Sequence, residues 1–232
     1  MIEVDDGEGI RTIRFDRPTR RNALTPDDLE ALESAVAETP HSVIFLEGAG
    51  PAFCAGADLD VVAGLDRDGA EAFARLGQRV ANAIADSDAV VVAGIDGAAR
   101  GGGLELALAC DIRVGTPEAT LGEPGVTFGL FGAWGGTVRL PRIVGEGVAL
   151  ELACTGRVLE AEEALQAGLL SRLEDDPRTV AETIVEYPAD TLAVLQSRIR
   201  DRADRASQEE REAIAFGTLV ESHGEAIARR FG

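Results

Sequence analysis

The 232-residue sequence predicts an α/β fold with crossover connections, followed by a docked helical region. Three observations carry that reading. Short β-rich apolar runs alternate with stretches of helical spacing, two of those runs empty into glycine-rich loops, and nearly everything after Gly145 is helical in pattern.

Taken in order, the first strand is expected from Ile10, with Thr12, Ile13 and Phe15 around Arg11 and Arg14, to a stop at Asp16-Arg17-Pro18. Thr25 then reads as an N-cap. Pro26 takes the first helical position, Asp28 stands three residues after the cap, and Leu29, Leu32 and Val36 follow at helical spacing until Pro40. Ser42 to Leu46 is a β-rich run that empties into Glu47-Gly48-Ala49-Gly50-Pro51, and an Ala-rich polar helix is predicted over Asp68 to Ala85. The unit then repeats: Val90 to Ile95 is an apolar strand, Asp96-Gly97 a turn, and Gly101-Gly102-Gly103 opens a helical segment from Leu104 to Ala109. Ile112 to Val114 and Ala119 to Leu121 read as short strands, with one more candidate strand near Leu169 to Leu173. No low-complexity linker or short-period repeat interrupts the chain, and a boundary is set near residue 160, dividing a 1–160 core from a 161–232 helical region.

Composition excludes several functions. The chain carries 41 Asp+Glu against 22 Lys+Arg, a net charge of −19, and every one of its basic residues is Arg. Such an excess repels nucleic-acid phosphates and anionic membrane surfaces, so neither is an expected partner. The absence of Lys rules out a Schiff-base or P-loop lysine. The longest strongly apolar stretches, such as Ala89 to Ile95, fall short of the roughly 18 to 20 residues that span a bilayer, and no basic segment precedes an apolar one at Met1, so a secretory signal is not expected. Cys54, Cys110 and Cys154 form no CxxC, and only His41 and His223 could join them, which argues against a metal site or a disulfide framework and for a cytoplasmic setting.

Three segments are candidates for chemistry. Gly101-Gly102-Gly103-Leu104-Glu105 places a glycine run at a helix start, where backbone N–H groups and the helix dipole favour anions; a tight strand-to-helix turn would look the same. Glu105 lies within an apolar run, either facing solvent or held in a dry pocket with a raised pKa. The second segment, Pro51 to Leu59, has small residues around Gly56, so a backbone N–H there could pair with one from the glycine triplet as an oxyanion hole. Cys54 within it has no nearby His and reads as a small buried hydrophobe. The third, Leu121 to Leu140, is dense in glycine and contains the single Trp134, for which core packing is the common fate.

Arg17-Pro18 with Asn22-Ala23-Leu24, Phe53-Cys54-Ala55-Gly56-Ala57-Asp58-Leu59, Gly101 to Ala107 running into Cys110-Asp111-Ile112, Gly135-Gly136-Thr137 with Arg139-Leu140, and Glu162-Glu163-Ala164 to Gly168-Leu169 stand in an order that resembles the crotonase superfamily, the enoyl-CoA hydratase/isomerase family. The resemblance spans about Ile10 to Leu173. It implies a crotonase-like spiral of ββα units carrying the CoA-thioester site, a C-terminal helical subdomain for trimerisation, and trimers or dimers of trimers. It also implies an acyl-CoA thioester as substrate, with no separate cofactor and no metal, in fatty-acid or acyl-CoA catabolism. By motif position the N–H groups of Ala57 and Gly102 would hold the thioester oxygen, and Ala23, Ala55, Ala57, Asp58, Leu59, Asp60 and Gly102 would bind the substrate. Glu105 would be one of the family's two acid/base glutamates.

Two departures from the family pattern matter. The second glutamate follows the proline of the F-G-x-P-E stretch, which here reads Leu121-Gly122-Glu123-Pro124-Gly125, so Gly125 stands where the acid belongs. Three readings stay open: Glu123 substitutes, Glu105 alone shuttles a proton in double-bond isomerisation, or hydratase activity is lost and an acyl-CoA-binding homologue remains. Asp60 stands where many hydratases carry a Lys, so any CoA phosphate contact falls to Arg, with Arg20, Arg21, Arg229 and Arg230 as candidates. No Asp lies between Phe131 and Gly136, which argues against the family's dehalogenases. The acidic, Lys-free surface is expected to suit a high-salt cytoplasm.

Overall fold

The computed structural model describes residues 1–231. Its chain runs β1 (Ile2–Gly7), β2 (Ile10–Phe15), α1 (Pro26–Ala37), β3 (Val43–Gly48), α2 (Leu59–Val62), α3 (Arg67–Ala85), β4 (Val90–Ile95), β5 (Ala98–Arg100) and α4 (Gly102–Ala109). It continues through β6 (Ile112–Gly115), β7 (Thr120–Gly122), α5 (Gly136–Val144), α6 (Glu146–Thr155), β8 (Val158–Glu160), α7 (Ala161–Gln166), β9 (Arg172–Leu173), α8 (Arg178–Val185), α9 (Ala189–Arg200) and α10 (Arg205–Phe231). One sheet has the order β1-β2-β3-β4-β6-β9, with β1 antiparallel to β2 and the other pairs parallel. A smaller sheet, β5-β7-β8, stands beside it.

The parallel strands are buried on both faces, as crossover helices require. Along β3, Val43 and Phe45 join Ile10, Val92 and Val114 against Val180 and Ala181 of α8 and Leu192 of α9. The alternate residues Ile44 and Leu46 face Leu29 and Leu32 of α1 and Val80 and Ile84 of α3. Period-two alternation thus sorts one strand into two cores. The α1 cap forms as the sequence expects: Thr25 Oγ1 accepts from Asp28 N–H at 3.3 Å, and the Asp28 carboxylate accepts from Thr25 N–H at 3.0 Å.

Several elements differ from the sequence expectation, among them the short α2 and β5, for which the sequence pattern predicts no element. β1 precedes the first strand expected, joined to β2 by a turn with Glu8 at φ 55° and Gly9 at φ 80°, a two-residue hairpin geometry. Its residues are mostly exposed at the sheet edge, so no apolar periodicity announces it. The helical pattern begins at α5, ahead of Gly145, and is broken by β8, whose three residues are too few for periodicity and are held by antiparallel pairing with β7. The last strand is confined to Arg172–Leu173.

The parallel strands deliver the functional segments to one end of the sheet. β3 leads into residues 49–58, β4 through β5 into α4, and β7 into Glu123. Isolated parallel bridges, Cys54 with Ala99 and Leu24 with Ala57, tie these segments together.

Candidate active site

α4 is buried along its whole length, and its glycines are what let it sit there. A Cβ on Gly102 would lie 2.2 Å from Trp134 Cζ3, and one on Gly103 would lie 2.2 Å from the Cys54 carbonyl oxygen. Gly56, at φ +87°, allows an equally close approach, since a Cβ there would be 2.7 Å from Gly102 N. Ala57 and Gly102 thereby line a common cavity. The bridge with Leu24 uses the Gly56 carbonyl (2.8 Å) and Asp58 N–H (2.9 Å), leaving Ala57 N–H outside the pairing. The first intrahelical bond of α4 runs from Glu105 N–H to Gly101 O (2.9 Å), so Gly102 N–H is one of the helix's unpaired leading donors.

Of the two orientations open to Glu105, the structure takes the dry one: the residue is 2 % exposed. Its Oε1 accepts hydrogen bonds from Trp134 N–H (2.7 Å) and Gly136 N–H (2.6 Å). Arg139 reaches back from α5, donating to Trp134 O at 3.3 Å and to Asn82 of α3 at 2.6 Å, and so braces the loop that supplies both donors. Burial pushes the Glu105 carboxyl up to about 7, against the pull of the two N–H groups and of Arg139.

Glu123 enters the same site. It is buried, and its Oε1 has no hydrogen-bond partner. A Cβ on Gly132 would lie 3.0 Å from Glu105 Oε1 and 3.0 Å from Glu123 Oε2, so the two carboxyls converge on one point that only glycine leaves free. Burial, and then the negative charge of Glu105, push Glu123 up to about 8. The two acids titrate as a pair, with Glu105, which holds two N–H donors and the pull of Arg139, ionising first. Gly125 also borders the cavity, but a Cβ there would press on Leu130 O at 3.1 Å and Phe131 Cα at 3.2 Å. A side chain at 125 would need the loop backbone to give by a few tenths of an ångström, and here the acid comes from two residues upstream instead.

The cavity has a volume of about 270 Å³. Ala55, Ala57, Leu59, Gly102, Glu105 and Glu123 all line it, facing an apolar wall of Leu65, Phe73, Leu130 and Phe131. Three expected binding residues lie outside this lining. Ala23 is buried, with its carbonyl on Arg17 at 3.3 Å. Asp58 caps α2 through Asp60 N–H and pairs with Arg17 (2.8 Å) and Arg20 (3.1 Å). Asp60 is exposed and paired with Arg20. Asp58 and Asp60 therefore hold the 55–60 segment and occupy Arg20. Cys54 is fully buried, its thiol pushed up to about 12 by burial and donating to Asn22 O (3.1 Å), so it is no nucleophile. Trp134 is core, edge-on to Phe73 at 5.6 Å, and its backbone is part of the site as well. Among the described residues no three His, Cys, Asp or Glu side chains gather as metal ligands, and no helix is long and apolar enough to cross a membrane.

The roles of Gly136 N–H and Arg139 escaped the sequence reading. The available signal was Gly135-Gly136 opening a helix, which is how backbone donors are presented to a carboxylate. In chemical terms the site offers the unpaired N–H groups of Ala57 and Gly102 and two buried carboxyls with raised pKa values around one cavity, equipment suited to stabilising an enolate and moving protons beside it.

Comparison with known proteins agrees with that equipment. The sequence model of a family described as enoyl-CoA hydratase/isomerase matches residues 5–222. A crotonyl-CoA hydratase of Syntrophomonas wolfei is 36% identical over 74% of this chain and 68% of its own length. A short-chain-enoyl-CoA hydratase of Clostridium acetobutylicum is 34% identical over 71% of this chain, the match spanning 65% of that protein. Among solved structures, the enoyl-CoA hydratase from Thermoplasma volcanium superposes with a TM-score of 0.90 at 31% identity, covering 98% of this chain and 95% of that one. The enoyl-CoA hydratase from Bacillus anthracis gives 0.89 at 30% identity, covering 95% and 91%.

Proposed function

This chain belongs to the enoyl-CoA hydratase/isomerase family, and from that premise we propose that it adds water across the double bond of a 2-enoyl-CoA thioester, as a step in acyl-CoA catabolism. The observation that carries the reading is the convergence of Glu105 and Glu123 on the point beside Gly132, next to the unpaired N–H groups of Ala57 and Gly102.

The thioester oxygen accepts from those two N–H groups. Ionised Glu105 takes a proton from a water molecule, whose oxygen bonds to the β-carbon. The double-bond electrons move toward the α-carbon and thioester, and the resulting enolate is held by the two donors. Neutral Glu123 then gives its proton to the α-carbon. Turnover leaves Glu105 protonated and Glu123 ionised, and proton exchange between the facing carboxyls restores the starting state. Loss of the conjugated enoyl absorbance, followed for wild type, Glu105→Gln and Glu123→Gln, tests this. Both variants should lose hydration, and full hydration by Glu123→Gln would sink the two-acid scheme.

Gly125 favours a second reading, double-bond isomerisation with Glu105 as sole shuttle. A Glu123→Gln variant that still converts a 3-enoyl-CoA to its 2-enoyl isomer but adds no water would separate the two. An acyl-CoA-binding homologue without activity would fail both assays. We further propose a homotrimer or dimer of trimers in the cytoplasm. Support for assembly comes from Leu195 and Ile199 of α9 and Ile214 and Phe216 of α10, which are exposed in the single chain. Light scattering on the purified protein reads the assembly.

A further inference from the structure

A second chamber, of about 520 Å³, borders Glu123 between α5, α6 and the short 3-10 turn Pro124–Phe128. It shares a wall with the thioester cavity: Glu123, Phe131 and Gly132 line both. Gly132 adds no side chain to that wall, and Phe131 is 69% exposed. The chamber is predominantly apolar, faced by Val126, Leu140, Ala149, Leu150 and Ala153, with the charged Arg142 and Glu146 both exposed. Nothing in the hydration scheme uses it.

We propose that the acyl tail leaves the thioester cavity between Phe131 and Glu123 and lies in this chamber, making the substrate class a medium-chain 2-enoyl-CoA of about eight to twelve carbons. The inference rests on the acyl-CoA reading above. The Ala57 and Gly102 donors fix the carbonyl, and the carboxyls flank the next two carbons. With the CoA side of the thioester toward Ala55 and Leu59, as the family resemblance implies, the chain beyond the β-carbon continues past Glu123. A four-carbon acyl group would end at the carboxyls and leave the chamber unfilled. An apolar space of this size is typical of pockets that enclose a small ligand.

Calorimetric titration with saturated butanoyl-, octanoyl- and dodecanoyl-CoA reads the tail without turnover. Affinity should rise about fourfold per methylene until the chamber is full. Ala153→Phe, which fills it, should cut the dodecanoyl-to-butanoyl affinity ratio at least tenfold. Leu150→Asp, at an exposed position on the same wall where folding has little at stake, should do the same. Leu65→Trp on the opposite wall is the counter-probe: if it lowers that ratio and the α6 variants do not, the tail runs along α3 and the proposal is overturned. Equal affinity for the three esters overturns it as well. Failure of the hydratase reading looks different, because tight, chain-length-dependent binding without hydration would remove the reaction and keep the chamber.

Discussion

Glu105 and Glu123 bring the same side chain to the same point from two differently built regions. α4 is buried throughout, packed against Cys54 and Trp134, and one oxygen of its acid is held by two N–H groups 29 and 31 residues away in sequence. The segment after Glu123 is a 3-10 turn and loop in which Phe128, Leu130 and Phe131 are 61%, 46% and 69% exposed, and its acid has an oxygen with no partner. The difference teaches that one cavity can hold a carboxylate and a carboxylic acid by supplying donors to one and withholding them from the other.

The largest effect should follow removal of the braced acid. Glu105→Gln keeps an oxygen for Trp134 and Gly136 N–H but cannot take a proton, so kcat should fall about 10³- to 10⁴-fold with little change in KM. Glu123→Gln should lower hydration about 10²- to 10³-fold, because an amide cannot give up a proton to the α-carbon. A smaller loss than for Glu105→Gln would sharpen the contrast, and the reverse order would break it.

The pH profile comes next. The two-acid scheme needs Glu105 ionised and Glu123 protonated, so the acidic limb of kcat/KM should lie at about 7 and the basic limb at about 8. In Glu123→Gln the residual activity should lose its basic limb. A basic limb that persisted there would belong to another group.

Packing offers a third test. On Gly102 an added methyl meets the Trp134 ring at 2.2 Å with no room to yield, whereas on Gly125 it meets the exposed loop at 3.1 to 3.2 Å. Gly102→Ala should therefore destabilise the fold by about 3 kcal/mol and Gly125→Ala by about 1 kcal/mol or less, measured by chemical denaturation. Equal costs would mean that the two regions are equally rigid.

The smallest effect is on stability against pH. The folded state raises both carboxyls above the ordinary value of 4.5, so it binds more protons than the unfolded chain between that pH and about 8. Stability is fully present below pH 4.5 and is lost as pH rises through the folded values. At pH 8.5 Glu123→Gln should be more stable than wild type by on the order of 1 kcal/mol, the gain vanishing by pH 4. A constant difference across that range would trace the gain to packing.

Much of this protein is legible in its local sequence, and for identifiable reasons. The Thr25 cap, the alternation of Val43, Ile44, Phe45 and Leu46, and the glycines at 56, 102 and 103 each depend on neighbours or on a conformation that few residues adopt. β1 and β8 were not legible, because an exposed edge strand and a three-residue strand carry too little apolar pattern. Asp58 and Asp60 sit within a recognisable motif, yet their partners Arg17 and Arg20 lie about 40 residues upstream, so their part in holding the loop emerges only on folding.

The sequence by itself determined the α/β class, the family pattern and the segments that bring Ala57, Gly102 and Glu105 to one cavity. Tertiary structure alone decided that Glu123 faces Glu105, because that depends on how closely the Leu130–Phe131 backbone packs on Gly125 and on Gly132 leaving space between the carboxyls. It also raised both carboxyls above their ordinary value. Burial and hydrogen bonds from Trp134 and Gly136 are properties of chain segments meeting in space, and no spacing along the chain encodes them.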